Sequence, residues 1–131
     1  MRILIADDET KLGSLFKMIL CCEFQDSTVD VVVNGAEAVD AFRSVDYDIL
    51  LLDLNMPVKD GYHAYLEIRE ICMKEHLKLP FVIFCSGFAI PEELREIAGD
   101  PTHCAILRKP VTCEKLTGAF KALNPGHLQS A

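Results

Sequence analysis

The sequence lacks tryptophan altogether, and none of its apolar runs reaches eighteen residues. A helix that crosses a bilayer needs about 20 predominantly apolar residues in a row, so a membrane-spanning helix is excluded. We also expect no secretory signal, because Asp7 and Asp8 interrupt the N-terminal apolar segment after a few residues. These absences predict a cytoplasmic protein that contacts no membrane.

Basic residues are scarce relative to acidic ones. The chain has 13 Lys and Arg against 20 Asp and Glu, which gives a net charge of −7. Because nucleic-acid-binding proteins present a basic patch and none is visible here, we expect no direct contact with nucleic acid. The imbalance lies in residues 1–60, which hold 12 acids and 5 bases. A solvated acidic surface would account for it, and so would a site that uses carboxylates to bind a cation.

Metal-ligand motifs built from cysteine or histidine are also missing. The six cysteines contain no Cys-x-x-Cys pair, and the four histidines have no metal-ligand spacing. Without an export signal, we expect reduced thiols inside the core rather than disulfides. The cysteines concerned are Cys21, Cys22, Cys72, Cys85, Cys104 and Cys113.

Five short apolar runs are present, in a chain that is 50% hydrophobic. They do not alternate between polar and apolar residues, which is typical of strands that are buried on both faces of a parallel sheet. The predicted strands are Ile3–Ala6, Val29–Val33, Asp48–Asp53, Phe81–Ser86 and Ala105–Lys109.

The segments between the runs have helical periodicity. In the first, the apolar stripe consists of Leu12, Leu15, Phe16, Ile19 and Leu20. Later helices are predicted from Ala38, Val39 and Phe42, from Ala64, Tyr65, Ile68 and Cys72, from Leu94, Ile97 and Ala98, and from Leu116, Phe120 and Leu123. Asp60 is the expected N-cap of the third helix. Asn124-Pro125-Gly126 should end the last one, which predicts a domain over residues 1–123 and a disordered tail over 124–131.

This alternation predicts an α/β fold of the doubly wound (βα)5 type. Right-handed crossovers place helices on both faces of an open parallel sheet. Ligands of such folds bind beyond the carboxyl ends of the strands, so the residues at those ends are the candidates for function.

Polar side chains stand at four of these strand ends. Asp7 and Asp8 follow the first strand, Asp53 ends the third, Ser86 ends the fourth and Lys109 ends the fifth. Each one alone is commonplace, since acids often cap helices and a Ser-Gly pair is usually a turn. Together they crowd three carboxylates, which repel one another unless a cation lies between them. Mg²⁺ is the common intracellular ion that prefers oxygen ligands, so the combination predicts a magnesium site.

Four segments resemble the conserved blocks of response-regulator receiver domains. They are ILIADDE at 3–9, DILLLDLNMPVKDG at 48–61, VIFCSG at 82–87 and LRKPV at 107–111. The resemblance covers residues 1–123 and implies a flavodoxin-like sheet with strand order 2-1-3-4-5. It also implies a phosphoacceptor of a two-component system or phosphorelay, which signals by a conformational change and is not an enzyme in the usual sense. The phosphodonor would be a sensor histidine kinase or a histidine phosphotransfer protein.

The resemblance also implies a role for each strand-end residue. Asp53 would accept the phosphoryl group. The Asp8 and Asp53 side chains and the Asn55 backbone carbonyl would hold Mg²⁺, and Asp7 would assist through a metal-bound water. Ser86 would hydrogen-bond a phosphoryl oxygen.

Lys109 would pair with the phosphoryl group, and a cis peptide bond would join it to Pro110. One position departs from the family pattern. Ile106 stands where receivers often have an aromatic residue that changes rotamer on phosphorylation, so the usual coupling to output is in doubt. Phe88 would place a large apolar group beside the site and slow hydrolysis by excluding water.

Three alternatives use related folds. A phosphohydrolase of the haloacid dehalogenase type needs a second Asp as its acid and base, and this chain has Asn55 there. A flavin-binding module needs a phosphate loop after the first strand, where this chain has acids. A receiver that acts by protein contact alone, without phosphorylation, remains compatible with the same residues.

Overall fold

Ten elements alternate along the chain in the computed structural model, which describes residues 1–87, 90–100 and 102–123. They are β1 (Arg2–Ala6), α1 (Thr10–Glu23), β2 (Thr28–Val32), α2 (Gly35–Ser44), β3 (Ile49–Asp53), α3 (Gly61–Glu75), β4 (Phe81–Ser86), α4 (Glu92–Ala98), β5 (Cys104–Arg108) and α5 (Cys113–Lys121). None of these helices has the length and hydropathy needed to cross a membrane.

The five strands form one parallel sheet in the order β2-β1-β3-β4-β5. This confirms both the (βα)5 fold and the strand order that the resemblance implies. The predicted strand bounds are correct for β4 and differ by one residue or so elsewhere. In β5 the last paired residue is Arg108, opposite Ser86, so Lys109 lies just beyond the strand rather than within it.

Two apolar layers enclose the sheet, one on each face. Leu50 and Leu52 face a cluster formed with α2, α3 and α4, whereas Ile49 and Leu51 face a cluster formed with α1 and α5. All four side chains are at most 2% exposed. Burial on both faces therefore explains why the run 49–52 is continuously apolar.

The apolar stripe predicted for α1 is wrong at Leu15, which is 47% exposed. The buried positions of α1 are Gly13, Phe16 and Leu20. A Cβ atom on Gly13 would lie 2.8 Å from the side chain of Val31, so the helix packs closely against β2 at this glycine. The contact is centred on Gly13 and Phe16, and Leu15 is turned toward solvent.

Side-chain caps define the starts of three helices. Asp60 accepts a hydrogen bond from the His63 backbone N–H at 2.8 Å, which confirms it as the N-cap of α3. Asn34 caps α2 in the same way, and Thr112 caps α5. The last helix ends at Lys121, earlier than predicted, because the chain tightens there into a turn that buries Leu123. The predicted stop signal and tail, residues 124–131, lie outside the described residues.

All six cysteines are unpaired thiols, as expected. Cys72, Cys85 and Cys104 are buried in the core and Cys21 is half-buried. The expectation of core thiols is wrong for Cys22 and Cys113, which are exposed. Cys22 lies in the last turn of α1 and Cys113 is the first residue of α5, where the apolar face of the helix does not include them.

Candidate functional site

The polar residues predicted at the strand ends meet at one edge of the sheet. Asp7 follows β1, Asp53 ends β3, Ser86 ends β4 and Lys109 follows β5. Asp7, Asp53 and Ser86 are only 4%, 2% and 3% exposed, and they are the buried polar residues of the part of the chain that the structure describes. Polar groups buried at such a cost mark this edge as the candidate site.

Three carboxylates form an acidic cluster at this edge. Each of Asp7, Asp8 and Asp53 places a carboxylate oxygen within 4.8 Å of the others. Asp7 and Asp53 lie at the bottom of the cluster and Asp8 is exposed at its mouth. Carboxylate oxygens with an opening for water are what a hard divalent cation such as Mg²⁺ requires, so this donor set fits the metal predicted from the sequence.

In the absence of a cation, the ionised form of Asp7 is disfavoured. Burial raises the pKa of Asp7 to about 6, and the negative charge of Asp53 adds to the increase. The Glu9 backbone N–H, which donates to Asp7 Oδ1 at 2.9 Å, opposes the increase without cancelling it. A bound cation would favour the ionised form of this carboxyl.

Asp53 is fixed by a hydrogen bond to each of its oxygens. Lys109 Nζ donates to Oδ2 at 2.8 Å, and the Asn55 backbone N–H donates to Oδ1 at 2.9 Å. Burial lowers the pKa of Lys109, but its hydrogen bond to Asp53 and the charges of Asp53 and Asp7 outweigh that effect and raise it. Lys109 therefore stays protonated and supplies a fixed positive charge beside the carboxylate.

The segment after β5 sets the position of Lys109. Its backbone N–H donates to the Ser86 carbonyl at 2.9 Å, and the Lys109–Pro110 peptide bond is cis, as the resemblance implies. Lys115, from the first turn of α5, directs its ammonium group to the carbonyls of Arg108 and Pro110 at 3.4 and 3.2 Å. Sequence reasoning missed Lys115, since nothing in the spacing Lys-Pro-x₄-Lys distinguishes it from an ordinary surface lysine.

Two close backbone contacts hold the segment 54–60, which joins Asp53 to α3. A Cβ on Gly61 would lie 2.5 Å from the Asp53 carbonyl oxygen, and one on Gly35 would lie 2.3 Å from the Lys59 carbonyl oxygen. The Gly35 N–H donates to that same Lys59 oxygen at 2.8 Å. Locally, Asn34-Gly35 and Asp60-Gly61 look like ordinary helix starts, yet the two glycines allow three segments to meet beneath the site.

Three other residues were predicted for the site, namely Ile106, Asn55 and Phe88. Ile106 lies on β5 opposite Phe84 and packs, half-buried, against the cluster that contains α4. The side chain of Asn55 is exposed, and its backbone lies next to Asp53. Phe88 lies outside the described residues.

Comparison with known proteins agrees with this geometry. Residues 3–121 match the family described as the response regulator receiver domain, so the chain belongs to that family. Receiver domains of two-component response regulators are signalling phosphoacceptors rather than classical enzymes, and they interact with histidine kinases or phosphotransfer proteins.

Individual relatives are similar over most of the chain. The chemotaxis protein CheY of Halobacterium salinarum is 30% identical over 95 residues, which is 72% of this chain and 73% of that protein. This chain also matches several transcriptional and cell-cycle regulators that are longer, and it spans between 28% and 54% of their length.

Solved structures are also similar to this chain. A receiver domain from Methylobacillus flagellatus is 25% identical, with a TM-score of 0.77, over 95% of this chain and 98% of that one. The response regulator TrrA of Thermotoga maritima, solved with Mg²⁺ and BeF, is 27% identical, with a TM-score of 0.71, over 94% of this chain and 98% of that one.

Proposed function

We propose that Asp53 is the phosphoacceptor and that Asp8, Asp53 and the Asn55 backbone carbonyl hold the Mg²⁺ required for the reaction, with Asp7 acting through a metal-bound water. The observation that carries this proposal is the position of Asp53. It is 2% exposed, bonded to Lys109, and lies within 4.8 Å of two further carboxylates. The crystal structure of the similar protein TrrA in complex with Mg²⁺ and BeF supports Mg²⁺ as the cation.

The chemistry follows from this arrangement. One Asp53 oxygen forms a bond to the phosphorus of the donor while the bond from phosphorus to the donor histidine nitrogen breaks in line with it. When bound, Mg²⁺ supplies positive charge that neutralises the phosphoryl oxygens. The Lys109 ammonium and the Ser86 hydroxyl contribute the remaining stabilisation. The product is an acyl phosphate on Asp53, which carries the signal for as long as it persists.

The donor is a sensor histidine kinase or a histidine phosphotransfer protein, and the protein acts in the cytoplasm. The six unpaired thiols are compatible with that reducing compartment. Helix α1 starts beside the acidic cluster and exposes two apolar side chains, Leu15 at 47% and Met18 at 64%, which support docking of a protein at this end of the molecule.

Acetyl phosphate provides the direct test, because it needs no partner protein. With Mg²⁺ it should add one phosphoryl group to the chain, detected by intact mass. Asp53→Asn should abolish the addition, since an amide is not a competent nucleophile. Asp46→Asn, which removes an exposed carboxylate at the opposite end of the sheet, is the matched control and should be labelled normally.

Two results would refute the assignment. The first is full labelling of Asp53→Asn at another residue. The second is the absence of labelling in a wild-type protein that is folded and saturated with Mg²⁺, which would favour the receiver that acts by contact alone.

A further inference from the structure

Val58 has a backbone conformation that valine rarely adopts. Its φ is 69°, in the left-handed region, where the branched side chain crowds the adjacent peptide groups. The Lys59 N–H donates to the Pro57 carbonyl at 2.7 Å and closes a three-residue turn around Val58. Glycine or asparagine would adopt this turn with far less strain.

The neighbouring segments impose this turn. On one side the Asn55 N–H is bonded to Asp53. On the other side the Lys59 carbonyl accepts from Gly35, and Asp60 caps α3. The turn lies between these two fixed points, so the strain at Val58 is maintained by its surroundings, as is common next to functional sites.

The side chain of Val58 gains nothing within the described residues in return for this strain. It is 83% exposed, the highest value among the large exposed apolar side chains of that part of the chain. Neither the backbone geometry nor the core of this protein therefore accounts for a branched apolar residue at this position. An exposed apolar side chain that is held in this way is available to contact another molecule.

The location of Val58 indicates which molecule that is. Asp53 is 2% exposed at the bottom of the site, so a donor that carries a phosphorylated side chain has to cover the surrounding loops to reach it. The segment 54–60 is one of those loops, and Val58 is its most exposed apolar group. A small donor such as acetyl phosphate reaches Asp53 without covering the loop.

We propose that Val58 is a specificity-determining contact for the protein phosphodonor, with its side chain entering an apolar hollow on the histidine kinase or histidine phosphotransfer protein. This inference rests on the proposed function, because it requires phosphoryl transfer to Asp53. It adds a named residue outside the chemistry that distinguishes a protein donor from a small one.

The test compares two donors on four variants. The protein donor is the phosphorylated histidine protein that labels the wild-type chain fastest in a phosphotransfer profile, and the small donor is acetyl phosphate. Val58→Asn and Val58→Gly keep the turn but remove the apolar group. We expect kcat/KM with the protein donor to fall about tenfold, the effect of truncating a central apolar contact. Labelling by acetyl phosphate is expected to keep its wild-type rate.

Two further variants serve as controls. Val58→Ile retains a branched apolar group and should retain transfer from the protein donor. Met73→Gln removes another apolar side chain, 71% exposed, that lies twelve residues into α3 and therefore about 18 Å along the helix axis from its start. It should leave both donors unaffected. Val58→Asn should also raise the urea midpoint, because it relieves the strained turn.

Each other outcome rejects a specific step. Unchanged transfer from the protein donor to Val58→Asn overturns the inference, and so does an equal loss with both donors, which would mean a distorted site. A comparable loss in Met73→Gln would show a general effect of apolar surface. A lower urea midpoint for Val58→Asn would refute the strain. By contrast, a wild-type chain that neither donor labels would refute the proposed function itself.

Discussion

Asp7 illustrates how a charge that is unfavourable for folding can belong to a site that we propose binds a cation. Asp7 is 4% exposed, and within the described residues its carboxylate accepts a hydrogen bond from the Glu9 backbone N–H. Burial raises its pKa to about 6, so between pH 4 and pH 6 the folded state binds more protons than the unfolded state. The stability that protonated Asp7 provides is full below its ordinary pKa and is lost as the pH rises through 6.

We therefore predict that Asp7→Asn stabilises the metal-free protein at pH 7.5. The free energy of unfolding of the variant minus that of wild type should be about 3 kcal/mol larger at pH 7.5 than below pH 4, because this is the free energy that corresponds to the raised pKa of Asp7. Asparagine keeps the oxygen that accepts from Glu9 but carries no charge. Urea unfolding in EDTA from pH 4 to pH 8 measures the effect. A difference between wild type and variant that stays constant over this range would contradict the raised pKa.

The sequence predicted the strand-end residues well, but not how they are held. Acids at 7, 8 and 53 follow apolar runs, and the topology alone brings them together. The Lys115 contacts with the segment after β5, and the strained turn at Val58, depend on distances between segments far apart in the chain. No local pattern of residue types carries that information.

Segment 54–60 shows the same limit at the level of secondary-structure elements. Helix α3 begins so close to β3 that Gly61 has no room for a side chain, although Asp60-Gly61 looks like an ordinary helix start in the sequence. The strands themselves are predictable because burial on both faces produces continuous apolar runs. Their bounds are not, since backbone pairing extends to polar residues such as Arg2 and Thr28. The error at Leu15 has the same origin, because tertiary contact at Gly13 decides which side of α1 is buried.

A methyl group at Gly61 should therefore damage both the fold and the site. We predict that Gly61→Ala lowers the free energy of unfolding by about 2 kcal/mol, in the range of overpacking a closely packed position. It should also slow labelling of Asp53 by acetyl phosphate, because the Asp53 carbonyl has to move. Gly118→Ala in α5 is the matched control, since among the described residues no atom beyond its chain neighbours and its own helix backbone lies within 4 Å of the added Cβ. Alanine there should stabilise the helix by about 0.5–1 kcal/mol. If Gly61→Ala unfolds at the same urea concentration as wild type, the close contact does not constrain the loop.

At the scale of the whole molecule, a metal bound at the acidic cluster would link metal binding to folding. The sheet brings Asp7, Asp8 and Asp53 together from segments 45 residues apart, so an unfolded chain offers no comparable site. A ligand that binds only the folded state stabilises it by an amount set by its concentration relative to its dissociation constant. A cation bound there would therefore stabilise the fold, and it would compensate the charge of Asp7, which is unfavourable alone.

This linkage predicts that Mg²⁺ raises the thermal stability at pH 8 and has little effect at pH 5. At a concentration ten times the dissociation constant the gain should be about 1.4 kcal/mol. Below pH 6 a proton on Asp7 competes with the cation, because burial raises the pKa of that carboxyl to about 6.

The measurement is Tm with MgCl₂ against NaCl of matched ionic strength, for wild type and for Asp8→Asn and Asp46→Asn. Asp8→Asn should lose most of the gain because it removes one ligand, whereas Asp46→Asn should keep it because Asp46 lies at the opposite end of the sheet. An equal gain in all three proteins, or the same gain at both pH values, would mean that the cation acts on the surface charge of −7 rather than at this cluster.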